Sequence, residues 1–499
     1  MRARIFPLAA LLLSACTEVG PNYHQPEVAT PDSFAGENAP LSLPDSSQAD
    51  LTRWWSALHD TELDSLISRA LTANLDLKTA ASRVREAREQ EVIADAALQP
   101  SVSAAADTAQ LHSGRNFLSL LSGSSGADSS APGAAKSSGG TSTSLYSLGF
   151  DATWEIDVFG GARRAIEAAE AGTEAARWEM RDGEVTLTAE IATDYIGLRA
   201  AQARLAILEG ELKSQNATLD LISARAKGGF VTQLDVNQQS ALGATTEAQI
   251  PPLEADARTM EHAIAVLLAV DPDALLDELD KTAPMPDIPA SLPVGLPSDL
   301  LRRRPDIREA ERKMAQASAN EGVAVSKLYP TFNLIGALNT ASNSFGSLFN
   351  TTSLNEIGVG MINWPLFHGG ESHANIRAKE EEEQQDYLAY QKVVLAAVQD
   401  TEDALVRYAA EQRRYLALGK ALARDQSSTT IATQQYQAGL INYVNVLTAQ
   451  SNELQVNDQL AQSKQALATD LASLYKALGG GWHEDDDPGR TPKDHYNPF

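Results

Sequence analysis

Residues 144–172 read SLYSLGFDATWEIDVFGGARRAIEAAEAG, an alternating strand that runs straight into a helix. Tyr146, Leu148, Phe150, Ala152, Trp154, Ile156 and Val158 are apolar, while Ser147, Gly149, Asp151, Thr153, Glu155 and Asp157 between them are small or polar. A period of two predicts a strand with one apolar face. After Gly160-Gly161 the text turns Ala/Glu/Arg-rich and holds no proline until Pro251. From Gly161 to about Ala226 this predicts a helical rod roughly 100 Å long. Ile191, Leu198, Leu205, Leu212 and Leu219 recur every seventh residue, with Leu208 and Ile222 on a second stripe. That is coiled-coil patterning. The rod is expected to turn at Gly228-Gly229 and return from Thr232, with an interruption at Pro251-Pro252.

The same text occurs twice. SKLYPTFNLIGALNT repeats the proline-then-strand step, and LNEIGVGMINWPLFHGGESHANIRAKEEEEQ is a second strand running into a second long helix. Trp154 and Trp364 lie 210 residues apart, as do Gly229 and Gly439, and Asp235 and Asn445. In the second copy Tyr408, Tyr415 and Leu422 keep the heptad spacing. Its strand changes phase between Met361 and Ile362, which predicts a β-bulge. The expected layout is a signal peptide at 1–15, an extended lipidated segment at 16–60 and a first repeat at 61–270. A Pro-rich linker follows at 271–297, then a second repeat at 298–479 and a polar tail at 480–499. Each repeat holds helices, two strands and a long helical hairpin. Residues 112–143, rich in Ser, Gly and Ala, are expected to form a surface loop.

MRARIFPLAALLLSAC has the basic start, apolar stretch and small residues of a secretory leader. Leu13-Ser14-Ala15-Cys16 resembles a lipoprotein box, in which Cys16 becomes the acylated first residue. Cys16 is the only cysteine among 499 residues, so internal disulfides are excluded. Thr17 rather than Asp follows it, and by resemblance to bacterial lipoprotein sorting this favours the outer membrane. A formal charge of -26 lacks the basic footprint of a nucleic-acid binder. No later stretch has the run of about 20 apolar residues that a membrane-spanning helix requires, so any crossing must use strands. Four strands per chain are too few to close a barrel, the smallest membrane barrels having about eight. Three chains would pool twelve. The fold class expected is therefore α+β: a shared β-barrel continuous with a coiled-coil tube.

The chain resembles the outer membrane factors, the TolC-like exit ducts, in their NodT-like lipoprotein branch. The resemblance rests on Cys16 in its box, VGPNYHQPEV, RWWSALHDTELDSLISRAL, NLDLKTAASRVREAR, DLLRRRPDIREAER, LYPTFNL, and the junctions WEIDVFGG and WPLFHGG, in that order. It implies a homotrimer with a 12-stranded barrel in outer-membrane lipid, a long periplasmic α-helical barrel and a small mixed equatorial domain. It also implies passive export of small molecules for a tripartite pump, with a periplasmic adaptor and an inner-membrane RND-type transporter as partners. It places Asp235, Tyr436, Asn445 and Thr448 at the periplasmic gate, and Gly228, Gly229 and Gly439 at the hairpin tips where the adaptor docks. Asn445 and Thr448 stand where many relatives have Asp, so an acidic ring is expected from Asp235 alone. The other reading of Asp235 is a residue that caps a helix start.

No cofactor, metal site or enzymatic activity is expected. His368 and His373 lack zinc-helix spacing and read as polar residues at a strand-to-helix junction. Ser473 and Lys476 have the Ser-x-x-Lys spacing of a penicillin-binding nucleophile but neither partner motif. The glutamates at 380–383 read as a solvated helix face. Arg302, Arg303 and Arg304 read as partners of nearby carboxylates, with Pro305 opening a helix. Trp54-Trp55 reads as packing. Two alternatives remain: a protein-secretion duct of the same architecture, and a structural or adhesive trimeric coiled-coil lipoprotein. The alternating strands weigh against the second, because an adhesin has no use for a lipid-facing aromatic stripe.

Replacing Cys16 with Ser is expected to abolish incorporation of labelled fatty acid. Labelling that persists would place the acyl group elsewhere.

Overall fold

Proline and glycine set most element boundaries in the computed structural model, which describes residues 18–28, 31, 51–113, 141–289, 297–350 and 353–483. Cys16, the leader, residues 114–140 of the low-complexity loop and 484–499 of the tail lie outside the described residues. The helices are α1 (Thr61–Ala73), α2 (Leu75–Ala96), α3 (Gly161–Lys227), α4 (Gln233–Glu247), α5 (Ile250–Leu267), α6 (Pro297–Arg303), α7 (Pro305–Ser326), α8 (Glu371–Gln437) and α9 (Tyr443–Ala477). The strands are β1 (Ser101–Ser113), β2 (Thr141–Ile156), β3 (Thr331–Ser342) and β4 (Leu354–Asn363). Helices α3 and α8 are each 67 residues long, about 100 Å of rod. Pro305 opens α7, and two prolines occupy the first turn of α5, where their missing N–H groups would have no helical partner. The start of the expected linker is structured, with short helical turns at Pro272–Leu275 and Leu276–Leu279. No described helix is long and apolar enough to cross a membrane.

The chain divides into two compact units. The first, residues 1–24, 88–171 and 315–384, holds an antiparallel sheet in the order β1-β2-β3-β4. Phe150 sits opposite Ala104 and Leu338, and Asp151 opposite Ser103 and Ala337. Opposed residues share a face, so Leu148, Phe150, Trp154, Leu334 and Leu338 form one exposed apolar stripe. The expected bulge in the last strand is absent. The β3–β4 ladder is unbroken from Thr340 opposite Leu354 to Thr331 opposite Asn363. Strand β4 ends at Asn363, so Trp364 and Leu366 lie beyond it. The unbroken register puts Ile357 on the face of Asp151, and Glu356 on the face of Phe150.

Both strand-to-helix junctions of this unit are braced by tryptophan. The Trp154 indole donates to the Leu98 carbonyl at 2.9 Å, and that of Trp364 to Leu328 at 3.1 Å. Each acceptor lies two residues before the proline that precedes a strand. The extended lead packs on the first junction. Buried Arg164 donates to the Val19 carbonyl at 3.2 Å and to the Asn22 side-chain oxygen at 2.6 Å.

The second unit, residues 25–87, 172–314 and 385–499, contains the main hydrophobic core. Trp54 stacks on Tyr475 with ring centroids 5.0 Å apart, and Trp55 meets Trp54 edge-on at 6.0 Å. Around them Leu63, Leu66, Ile67, Ile191, Leu198, Ile264 and Leu471 are fully buried. Each such side chain contributes roughly 1.5–3 kcal/mol of burial. The heptad stripe is buried at Ile191 and Leu198 but half-buried at Leu205, Leu212 and Leu219. The arginines before Pro305 behave as expected at two positions. Arg302 pairs with Asp299 at 2.9 Å, and Arg304 with Asp306 at 2.6 Å and Asp400 at 3.3 Å.

Asp60 fixes the start of α1. Its carboxylate accepts from the backbone N–H of Glu62 at 3.0 Å and of Leu63 at 3.1 Å. It also accepts from the buried Tyr195 hydroxyl at 2.9 Å. Asp60→Ala removes a helix cap and leaves a buried hydroxyl unpaired, a loss of about 2–4 kcal/mol. Denaturant unfolding is expected to show that loss, with Asp60→Asn retaining most of the wild-type stability.

Candidate functional site

The two long hairpins of the second unit turn in the same way. Gly229 has φ +76° and Gly439 φ +74°, left-handed conformations that favour glycine. The Gly229 N–H donates to the Ala226 carbonyl and the Phe230 N–H to Arg225, both at 3.0 Å. In the second turn the Gly439 N–H donates to Tyr436 at 3.0 Å and the Leu440 N–H to Gln435 at 2.9 Å. These are paired Schellman motifs, which close the last carbonyls of α3 and α8. Each projects an apolar side chain outward: Phe230 is 83% exposed and Leu440 74%. They also lie 210 residues apart.

The return helices start differently. Thr232 caps α4 through a capping box with Asp235. The Asp235 carboxylate accepts from the Thr232 N–H at 2.9 Å and its hydroxyl at 2.8 Å. Asp235 therefore holds the helix start together, the second of its two expected roles, and is half-buried there. Asn442 caps α9 with no side-chain bond. Asn445 and Thr448 are exposed on α9, and the Thr448 hydroxyl donates to its own helix at Val444, 2.9 Å away.

Tyr436 lies in a small apolar cluster with Ile222, Tyr443 and Val446. Its ring is 5.1 Å from that of Tyr443, and the Arg225 guanidinium lies 5.9 Å over it. Its hydroxyl is buried with no hydrogen-bond partner among the described residues. The bond between hairpins is made instead by Tyr443, whose buried hydroxyl donates to the Gln239 side-chain oxygen at 2.5 Å. Gln239, fully buried, donates in turn to the Gln215 carbonyl at 2.9 Å. Burial, then Tyr436 and Asp235, raises the Tyr443 pKa, so this hydroxyl stays a donor at any physiological pH. The sequence carried one signal for this network. Gln215 falls between Leu208 and Ile222 on an apolar heptad stripe, where a buried polar residue sets register at a cost in stability. His368 and His373 are exposed before and at the start of α8, and Ser473 and Lys476 are exposed on α9.

Comparison with known proteins agrees with this architecture. A sequence profile described as outer membrane efflux protein matches residues 66–270 and 296–480. The chain is 31% identical over 481 residues to nodulation protein T of Rhizobium leguminosarum bv. trifolii, covering 96% of this chain and 97% of that one. It is 32% identical over 484 residues to the pyoverdine export outer membrane protein OpmQ of Pseudomonas putida, covering 96% and 97%. Among solved structures it resembles the outer-membrane channel OprN, with a TM-score of 0.83 and 29% identity over 93% of this chain and 99% of that one.

Tyr443→Phe leaves the Gln239 oxygen buried without its donor, a cost of about 1–3 kcal/mol. Amide hydrogen exchange in residues 436–447 is expected to accelerate by about tenfold, while exchange around Trp54 is unchanged.

Proposed function

The chain belongs to the outer membrane efflux protein family, and from that premise we propose that three copies form the exit duct of a tripartite efflux system. The observation that carries the proposal is the open sheet. Among the described residues β1 pairs only with β2, and β4 only with β3. An exposed edge in lipid leaves backbone N–H and C=O groups unpaired, and closed barrels are the strand solution. Pairing the β4 of each copy with the β1 of the next closes twelve strands. The apolar stripe on Phe150, Trp154 and Leu338 then faces lipid, and the lipid on Cys16 adds a second anchor. The matched 67-residue helices and the matched turns support two internal repeats, so three chains supply six hairpins to the periplasmic tube.

The tips are the proposed partner surface. Phe230 and Leu440, held out by the turns at Gly228-Gly229 and Gly439, are apolar knobs suited to a periplasmic adaptor, which links the duct to an inner-membrane RND-type pump. The cargo is of the small-molecule class, as the name of the pyoverdine-exporting relative suggests. The gate reading places three copies of Asp235 around the aperture, with Tyr436 and Tyr443 holding neighbouring helices together. A carboxylate ring attracts cations.

Purified protein in a planar bilayer is expected to conduct with cation selectivity. Asp235→Asn keeps an acceptor for Thr232 while removing charge, so its reversal potential in a salt gradient should move toward zero. Thr448→Ala should leave it in place. Absence of conductance would sink the duct. An unmoved reversal potential in Asp235→Asn would remove that residue from the constriction.

A further inference from the structure

The last turn of α9 leads into a cleft that the duct reading does not use. Gly479 and Gly480 close the helix in a third Schellman turn, with N–H bonds to the carbonyls of Lys476 at 2.9 Å and Tyr475 at 3.0 Å. The Gly481 N–H donates to the Leu51 carbonyl at 2.9 Å, and the chain then presents Trp482. The Trp482 indole donates to the Arg303 carbonyl at 3.0 Å, and its ring meets Trp178 edge-on at 5.4 Å. Both rings are half-buried. With residues of α3 and α7 they wall a cleft of about 380 Å³, all of it within the second unit.

Four arginines line this cleft: Arg177 and Arg181 on α3, Arg308 and Arg312 on α7. Three glutamates answer them. Arg181 pairs with Glu184 at 2.9 Å, and Arg312 with Glu174 at 2.8 Å and with Glu311. Four guanidiniums against three carboxylates leave one positive charge in excess, in a chain whose formal charge is -26. The excess sits on Arg177 and Arg308. Arg177 is exposed and has no ion pair among the described residues. Arg308 also has none among them. Its guanidinium lies over the Trp178 ring at 5.0 Å, and its Nε–H is buried without an acceptor among the described residues. A guanidinium stacked by its face keeps its N–H donors at the edge, where a carboxylate takes two at once.

We propose that this cleft binds a small aromatic carboxylate from the surrounding solution. The ligand's carboxylate accepts from Arg177 and Arg308, and its ring lies against the indoles of Trp178 and Trp482. Each half of the wall selects for one half of the ligand. An inorganic anion would answer the charge but leave the indole surface wet. An uncharged aromatic would cover the indoles but leave both guanidiniums unpaired. A flat acid uses the whole wall, and one excess positive charge matches a monocarboxylate. Binding here involves no step of export, so it holds whether or not three copies conduct.

Isothermal titration calorimetry of the full-length protein in detergent tests this with cinnamate, and with cinnamamide as its uncharged shape match. Cinnamate is expected to bind once per chain with a Kd of about 0.1–1 mM, the affinity usual for a ligand of that size. Cinnamamide should bind about tenfold more weakly, having lost the charge-assisted bonds. Arg177→Gln should weaken cinnamate by about threefold to tenfold, between the scale of an exposed ion pair and that of a hydrogen bond to a charged group, and leave cinnamamide unchanged. Lys213→Gln removes an equal charge from an exposed position on α3, about 54 Å farther along, and should change neither ligand. Absence of cinnamate binding, equal affinities for acid and amide, or a loss in Arg177→Gln no larger than in Lys213→Gln overturns the proposal. Arg177 is exposed and outside the core, so its replacement leaves the fold intact.

Discussion

An unpaired backbone edge in hydrocarbon is the constraint on which the rest of this molecule depends. Each N–H or C=O left without a partner there costs several kcal/mol, and no side chain on the strand can offset a row of them. Strand β1 has 13 residues and β4 has 10, and each has one neighbouring strand among the described residues. The sheet is therefore open at both edges among the described residues, and the proposed trimer is the arrangement that would close it. The side chains fit that role. Strand β2 alternates from Tyr146 to Ile156, while the edge strand β1 is built largely of Ser and Ala, which allow a neighbouring strand to approach closely.

The helices carry a related burden over a greater length. A 67-residue rod rich in alanine has little side-chain volume with which to fix its register against a neighbour. Polar contacts take part of that role. Gln239 is bonded at both ends, to the Gln215 backbone on α3 and to Tyr443 on α9, and so joins one hairpin to the other near their turns. A buried amide in an apolar stripe disfavours every alignment in which its partners are missing. The Tyr436 hydroxyl nearby is buried with no hydrogen-bond partner among the described residues.

Much of this was legible in the sequence, because glycine, proline and period act locally. Gly161, Pro305, Thr232 and the glycines at 229 and 439 set the helix limits where the text placed them. Phase in the last strand was not legible. A change of apolar parity between Met361 and Ile362 can mean a bulge or a strand end, and only the partner's register separates the two. The ladder runs unbroken to Asn363, so the strand end is the answer. At the candidate gate, the residues chosen by resemblance were Asp235, Tyr436, Asn445 and Thr448. The bond that joins the hairpins belongs to Tyr443 and Gln239. Such a pairing spans 204 residues and has no local signature.

Buried or half-buried arginine is the device by which so acidic and alanine-rich a chain ties its irregular segments to its rods. Arg164 holds the N-terminal lead through the Val19 carbonyl and Asn22. Arg199 reaches the Lys281 carbonyl at 2.7 Å, while neighbouring Gln202 takes that of Leu279 at 2.8 Å. Arg304 bonds the Ala477 carbonyl at the end of α9 at 3.2 Å while paired with Asp306 and Asp400. In each case one guanidinium satisfies a carbonyl outside the helix ladder together with a side-chain acceptor. At Arg164 and Arg304 the bonds leave from different nitrogens of the planar fork, a geometry that lysine's compact ammonium lacks. A hydrophobic replacement would leave those acceptors without a donor, each at a cost of about 1–3 kcal/mol if buried. The rods can thus stay thin and alanine-rich, because their attachments are polar, directional and placed where the backbone leaves the helix.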